Sequence, residues 1–309
     1  MVEMAKTTSG IILKPKSKYK KRDIGAAFFF IAPVFLGLLV FYLVPMFQTV
    51  YYSFTEWGMF GGSTFTGLAN FEKMIGDPDV GRALKNTVVY AIFTVPIAMG
   101  LSLFIAVLLN SKIKGVSFYR VLYFLPAVTM TSAVAMIWKW MFNGEYGIIN
   151  QALGFFGMDG VSWLTDSRTA MLSLIIVGIW SSLGTSIVIF LAGLQGVPGS
   201  LYEAADIDGA GPIRKFFKIT LPIVTPTVFF SLITSLISAL QVYDLIFLMY
   251  SESNPALADV QSLAYLFYKH AFILNDKGYG AAITVVLLVL TMVITVINFG
   301  LQKKWVHYE

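Results

Sequence analysis

The stretch Glu203–Pro222, EAADIDGAGPIRKFFKITLP, decides how this chain is read. It lies between two long apolar segments, so it is a polar loop of an integral membrane protein. Its spacing is Glu-Ala-Ala, three residues, Gly209, nine residues, Ile219, one residue, then Leu221-Pro222. Upstream, Pro198-Gly199 closes the preceding apolar segment. Ser200 stands three residues before Glu203, a capping-box spacing that predicts the start of a short helix. Gly209 and Gly211-Pro212 break that helix. A second short helix, carrying Arg214, Lys215 and Lys218, leads into the next apolar segment. A helix-turn-helix with no room for its own core makes a rigid knob. Ala204 and Ala205 permit close approach to another surface, and Gly209 permits the sharp turn.

Composition agrees with a membrane setting. Of 309 residues, 57% are hydrophobic and 13% charged, with mean hydropathy +0.75; a soluble domain carries about 25% charged residues. Cysteine is absent, which excludes disulfides and thiolate chemistry, and only His270 and His307 offer imidazole. Six segments are long enough to cross a bilayer, which takes about 20 apolar residues: Ala26–Gln48, Asn86–Leu109, Val121–Phe142, Thr169–Leu194, Leu221–Tyr243 and Gly280–Leu301. The predicted organisation is a basic tail over 1–25, a six-helix domain over 26–301 containing the loop 200–222, and a short tail over 302–309. The first segment is too long for a cleavable signal and lacks a small-residue cleavage site.

Basic residues orient the spans. Lys6, Lys14, Lys16, Lys18, Lys20, Lys21, Arg22, Lys112, Lys114, Arg120, Arg214, Lys215, Lys218, Lys303 and Lys304 fall on one side, 15 of the 22 Lys and Arg residues. That side is predicted to be cytoplasmic, with both termini and the Glu203–Pro222 loop. The basic tail reads as a topology anchor, not a nucleic-acid patch. No Asp, Glu, His, Lys or Arg lies near the middle of a span, so ion coupling has little support. No phosphate-binding loop occurs. Active transport by this chain therefore needs energy from a partner. A channel or a membrane-embedded enzyme remains as a rival class, although no catalytic polar cluster is visible.

The loop resembles the cytoplasmic coupling loop of membrane subunits of bacterial ATP-binding cassette (ABC) importers. The likeness runs over nearly the whole chain to permeases of the maltose and glycerol-phosphate type. It is carried by PVFLGLLVFYLVPMFQTVYYSFTEW from Pro33, FTGLANFEKMIGDPDVGRALKNT from Phe65, FYRVLYFLPAVTMTSAVAMIWKWMFNGEYGIIN from Phe118 and YEAADIDGAGPIRKFFKITLPIVTP from Tyr202. One departure is SESNP (Ser251 to Pro255), where the family often has a Gly-Gly-Pro turn; the large outer insert of some maltose permeases is also missing.

The resemblance implies an all-α permease of the type I importer fold in a bacterial inner membrane. It implies a second related permease, two ATPase subunits and an extracytoplasmic solute-binding protein, with a carbohydrate, expected to be an oligosaccharide, as cargo. ATP and magnesium would be bound on the ATPase, so this chain would be neither an enzyme nor a cofactor holder. Glu203, Ala204, Ala205, Asp206, Gly209, Ala210 and Arg214 would contact the ATPase. Sugar-facing positions would fall near Thr131, Trp180, Thr185, Ser235 and Gln241, with Trp180 stacking and the others hydrogen-bonding. Tyr243 and Asp244 would be structural or part of an outer gate, with Asp244 capping a helix or pairing with a base. Trp57, Phe60, Phe65 and Phe71 would form interfacial helices and a landing surface for the binding protein, with lipid anchoring alone as the alternative. A non-sugar solute such as a polyol or phosphodiester is the alternative cargo, although the scarcity of Asp, Glu and His in the spans favours a neutral ligand.

Overall fold

The computed structural model describes residues 21–57, 62–111 and 114–307. The tail lysines up to Lys20, together with Phe60 and Lys112, lie outside the described residues, as do the last two residues of the C-terminal tail. The chain divides into two units, residues 1–48 and 49–309. In chain order, α1 (Lys21–Leu38) runs through a π-helical turn (Leu39–Leu43) into α2 (Val44–Tyr52), which ends beyond residue 48. Pro45 has no N–H, and its ring crowds the carbonyl one turn back. A wider turn there, in which the Val44 N–H donates to the Leu39 carbonyl, accommodates it.

The second unit opens with a hairpin of β1 (Thr55–Trp57) and β2 (Ser63–Phe65), antiparallel with Thr55 opposite Phe65. A short α3 (Ala69–Ile75) precedes the long α4 (Pro78–Asn110). Asp77 caps α4, its carboxylate accepting from the Asp79 N–H at 2.8 Å, and Pro78 takes the first turn, where no donor is needed. Then come α5 (Val116–Val128), α6 (Thr131–Met141), α7 (Ile148–Phe155) and α8 (Ala170–Gln195). The chain continues through α9 (Gly199–Ile207), α10 (Pro212–Lys215), α11 (Leu221–Ile223), α12 (Thr225–Leu240), α13 (Asp244–Met249), α14 (Leu257–Val260), α15 (Leu263–Tyr268) and α16 (Lys277–Trp305).

Among the described residues, four helical stretches are long and apolar enough to cross a membrane: Ala27–Tyr52, α4, α8 and α16. The count reaches six if each of two bent pairs is one span. The expected third span, Val121–Phe142, is not one straight helix: α5 and α6 meet at 102°. Pro126 removes a ladder donor, and Thr129 and Met130 are extended, with the Thr129 hydroxyl turning back to the Leu125 carbonyl at 2.7 Å. The fifth is bent by 68° around Val224, just before Pro226.

Helix α8 is the hub of the second unit. It packs along α4 and against α5 and α12, while α12 also meets α4 and α16. Buried Leu174, Val177, Ile187 and Phe190 fill its contacts. A polar clasp from α7 orders the loops on either side of it. Asn150 donates to the Gly144 and Val161 carbonyls at 2.8 and 2.9 Å and accepts from the Val161 N–H and the Trp163 indole at 3.1 and 2.8 Å. Replacing Asn150 with alanine strands all four groups, and a loss of about 2–3 kcal/mol is expected in a thermal-unfolding assay of the purified protein. The departing SESNP turn is held similarly: Asn254 accepts from the Ala256 N–H at 2.9 Å and donates to the Leu164 carbonyl at 3.1 Å.

A titratable cluster joins α3, α4 and the start of α16. The Tyr279 hydroxyl donates to Asp77 at 2.7 Å, Lys73 pairs with Asp276 at 3.1 Å, and the His270 ring lies edge-on to Tyr279 at 4.7 Å. Burial pushes the His270 imidazole below its ordinary value; Asp276 opposes that, Lys73 and Lys269 add to it, and Asp77 opposes it. The unfolded chain then takes the proton first as pH falls, so stability is lost downward from about pH 6.5 to the lower folded value. The melting temperature should fall as the pH drops below about 6.5, and His270→Gln should flatten that slope.

Candidate functional site

The Glu203–Pro222 loop is a compact helix-turn-helix. The first helix, α9, begins at Gly199 with Pro198 as its cap residue, so Ser200 lies inside the first turn and its side chain does not cap. At the other end the Gly209 N–H donates to the Asp206 carbonyl at 3.1 Å and the Ala210 N–H to the Ala205 carbonyl at 2.9 Å. With Gly209 at φ +70°, this is a Schellman closure. Pro212 then opens α10, which continues through a π-helical turn (Phe216–Thr220). Lys215 pairs with Asp206 across the two helices, and the Tyr202 hydroxyl meets that of Thr220 at 2.7 Å. These cross-links make the loop one body.

Of the residues expected to contact a partner here, Glu203, Ala204, Asp206, Gly209 and Arg214 are exposed, Ala210 is half-buried and Ala205 is buried. Ala205 therefore packs the knob rather than presenting it. Three apolar side chains that the spacing did not single out stand fully out: Ile207, Ile213 and Phe217, 88%, 76% and 59% exposed. Sequence order hides them, because the turn at Gly209 is what places Ile207 and Ile213 on either side of it.

A cavity of about 610 Å³ opens among α4, α5, α6, α8 and α12. Thr131, Thr185, Ser235, Gln241, Tyr243 and Asp244 all line it. With them stand hydroxyls of Thr129, Ser181, Ser182, Ser186, Thr234 and Ser238. Both interruptions of regular helix, at 129–130 and 241–243, sit on its wall. Irregular backbone at membrane depth is tolerated where it lines a cavity, because the freed groups find partners there. The Val242 carbonyl, released at the end of α12, accepts from the Ser262 hydroxyl. Ser182 and Thr234 donate back to the carbonyls of Gly178 and Phe230 at 2.9 and 3.0 Å, which leaves their oxygens as acceptors. Ser181 Oγ has no protein partner among the described residues.

Trp180 is not part of this lining. Its indole packs edge-on to Trp138 at 6.0 Å, and Trp138 continues through Phe142 to Trp163 at 5.3 and 5.5 Å. The stacking expected of it gives way to packing between α6 and α8. The aromatic groups that do line the cavity are Tyr90, Phe230 and Tyr243. Tyr90 and Phe230 escaped the sequence reading because helical position alone does not say which neighbour a face meets. Tyr243 is backed by Phe247 at 5.4 Å and Tyr268 at 5.0 Å. Among the described residues no base pairs with Asp244, and its side chain makes no cap bond at the start of α13. Of the residues expected at an outer surface, Trp57 lies under Lys277 at 4.7 Å, Phe71 packs on Phe54 at 5.5 Å, and Phe65 is exposed.

Comparison with known proteins bears on what such a chain does. Residues 81–307 match the family described as "Binding-protein-dependent transport system inner membrane component". The probable ABC transporter permease protein YesP of Bacillus subtilis (strain 168) is 39% identical over 307 residues, 98% of each chain. The arabinooligosaccharides transport system permease protein AraP of the same organism is 33% identical, covering 93% of this chain and 91% of that one. A chain in the crystal structure of a bacterial alginate ABC transporter, in complex with alginate pentasaccharide-bound periplasmic protein, superposes with a TM-score of 0.82 at 21% identity, covering 92% of this chain and 96% of that one. That likeness is one of fold.

Proposed function

Because this chain belongs to the binding-protein-dependent transport system inner membrane components, a family of ABC importer permeases with carbohydrate-transporting relatives, we propose that it forms half of the pathway of an ATP-driven oligosaccharide importer. Its spans number six, counting each bent pair once, and both termini face the cytoplasm. A second permease completes the pathway, two ATPase subunits supply the energy, and a binding protein delivers the cargo from outside. ATP hydrolysis takes place on the ATPase chains. The Glu203–Pro222 knob seats in a cleft of the ATPase and turns its closure into a rigid-body movement of the spans.

The observation that carries this reading is the folded knob itself. It is a cross-linked helix-turn-helix with Ile207, Ile213 and Phe217 uncovered, an apolar surface that a partner would bury. The hydroxyl-lined cavity supports the cargo class, since sugars need many donors and acceptors beside an apolar face. The test is purification of the chain from its native membranes in mild detergent, with mass spectrometry of what accompanies it. A second permease, an ATPase and a solute-binding protein are the expected companions. Recovery alone, or as a homo-oligomer without an ATPase, would overturn the reading in favour of a channel or secondary transporter.

A further inference from the structure

The cavity is uneven in charge. Among the described residues, every polar lining group is a neutral hydroxyl or amide except one carboxylate, Asp244, and no Lys, Arg or His lines it. Asp244 is exposed to that space, and no cation among the described residues balances it. The first turn of α13 carries the Phe247 N–H on the Tyr243 carbonyl at 2.9 Å, with the Asp244 carboxylate beside it in that turn.

We propose that Asp244 makes this cavity selective for neutral saccharides over anionic ones. The inference rests on the reading of the cavity as the sugar pathway. A carboxylate accepts through two oxygens, so it suits adjacent hydroxyls of a sugar ring. Gln241, three residues earlier on the same break, offers both a donor and an acceptor, and Tyr243 between them adds an aromatic surface. A uronate or sulfonate brought into the same space meets a like charge. No cation among the described residues of the wall offsets that repulsion.

The test uses the whole importer, this chain with its co-purifying permease and ATPase, in nanodiscs without the binding protein, which would otherwise impose its own selectivity. Saturation-transfer NMR compares arabinotriose with trigalacturonate. The wild type should favour arabinotriose by at least about fivefold, and Asp244→Asn, which keeps the shape and drops the charge, should bring the two within about twofold. Subunit yield should stay at the wild-type level. Equal or stronger binding of trigalacturonate, no binding of either sugar, or an unchanged ratio in Asp244→Asn would overturn the inference. So would dissociation of the Asp244→Asn complex, which would show the carboxylate paired with a base on another subunit. ATP- and binding-protein-dependent uptake of a mixed oligosaccharide pool into proteoliposomes separates the two levels. Absence of uptake sinks the importer reading, whereas uptake without charge preference sinks only the role of Asp244.

Discussion

Gly209→Pro should abolish solute uptake while the chain still reaches the membrane and assembles. The native residue sits at φ +70° and its N–H closes the end of α9 on the Asp206 carbonyl. Proline holds φ near −65° and has no N–H, so both requirements fail at once. The angle between α9 and α10 would then change, and with it the positions of Ile207 and Ile213. Nothing lies within 4 Å of where a Gly209 Cβ would stand, so the effect is one of backbone shape and not of crowding. ATP hydrolysis should persist at a basal rate but lose its stimulation by loaded binding protein. Glu203→Lys probes the same contact without touching the backbone, since Glu203 is exposed and has no ion-pair partner among the described residues. Uptake at the wild-type rate in both variants would show that the knob transmits nothing.

Gly184→Val is the second large effect, and it acts on folding. A Cβ at Gly184 would stand 2.7 Å from the Ala127 Cβ and 2.8 Å from the Ala127 backbone nitrogen. The obstacle is backbone, next to Pro126 and just before the 102° bend, so it cannot yield as a flexible side chain would. Close helix approach through small residues is how membrane helices gain packing, because lipid supplies no hydrophobic drive between them. Separating α8 from α5 should cost about 3 kcal/mol or more, read as a fall in melting temperature and in the yield of assembled complex. Gly100→Val is the control: nothing lies within 4 Å of its Cβ position. A melting temperature equal to that of the control would contradict the close packing of α5 on α8.

Much of this was legible from residues alone, for reasons that differ by element. The apolar stretches behind α4, α8 and α16 showed themselves because burying a span in lipid takes length and hydropathy, both local properties. The Glu203–Pro222 knob was legible because Gly209 frees the backbone for a left-handed turn and Pro212 fixes it, each where it stands. The bend between α5 and α6 was not, since proline is common within membrane helices and only the neighbours decide whether it kinks. Trp180 shows the same limit: its place in mid-helix was evident, but whether its face met the cavity or Trp138 depended on how α6 packs.

The sequence by itself determined a membrane chain, its likeness to importer permeases and the place of the Glu203–Pro222 helix-turn-helix. These rest on composition and on short-range backbone constraints. Only the tertiary structure decided that Thr131, Thr185, Ser235, Gln241 and Asp244 share one cavity, and that no cation among the described residues pairs with Asp244 there. Residues from different helices become neighbours through interhelical packing, which depends on shape matched across helices far apart in the chain, such as Gly184 against Ala127.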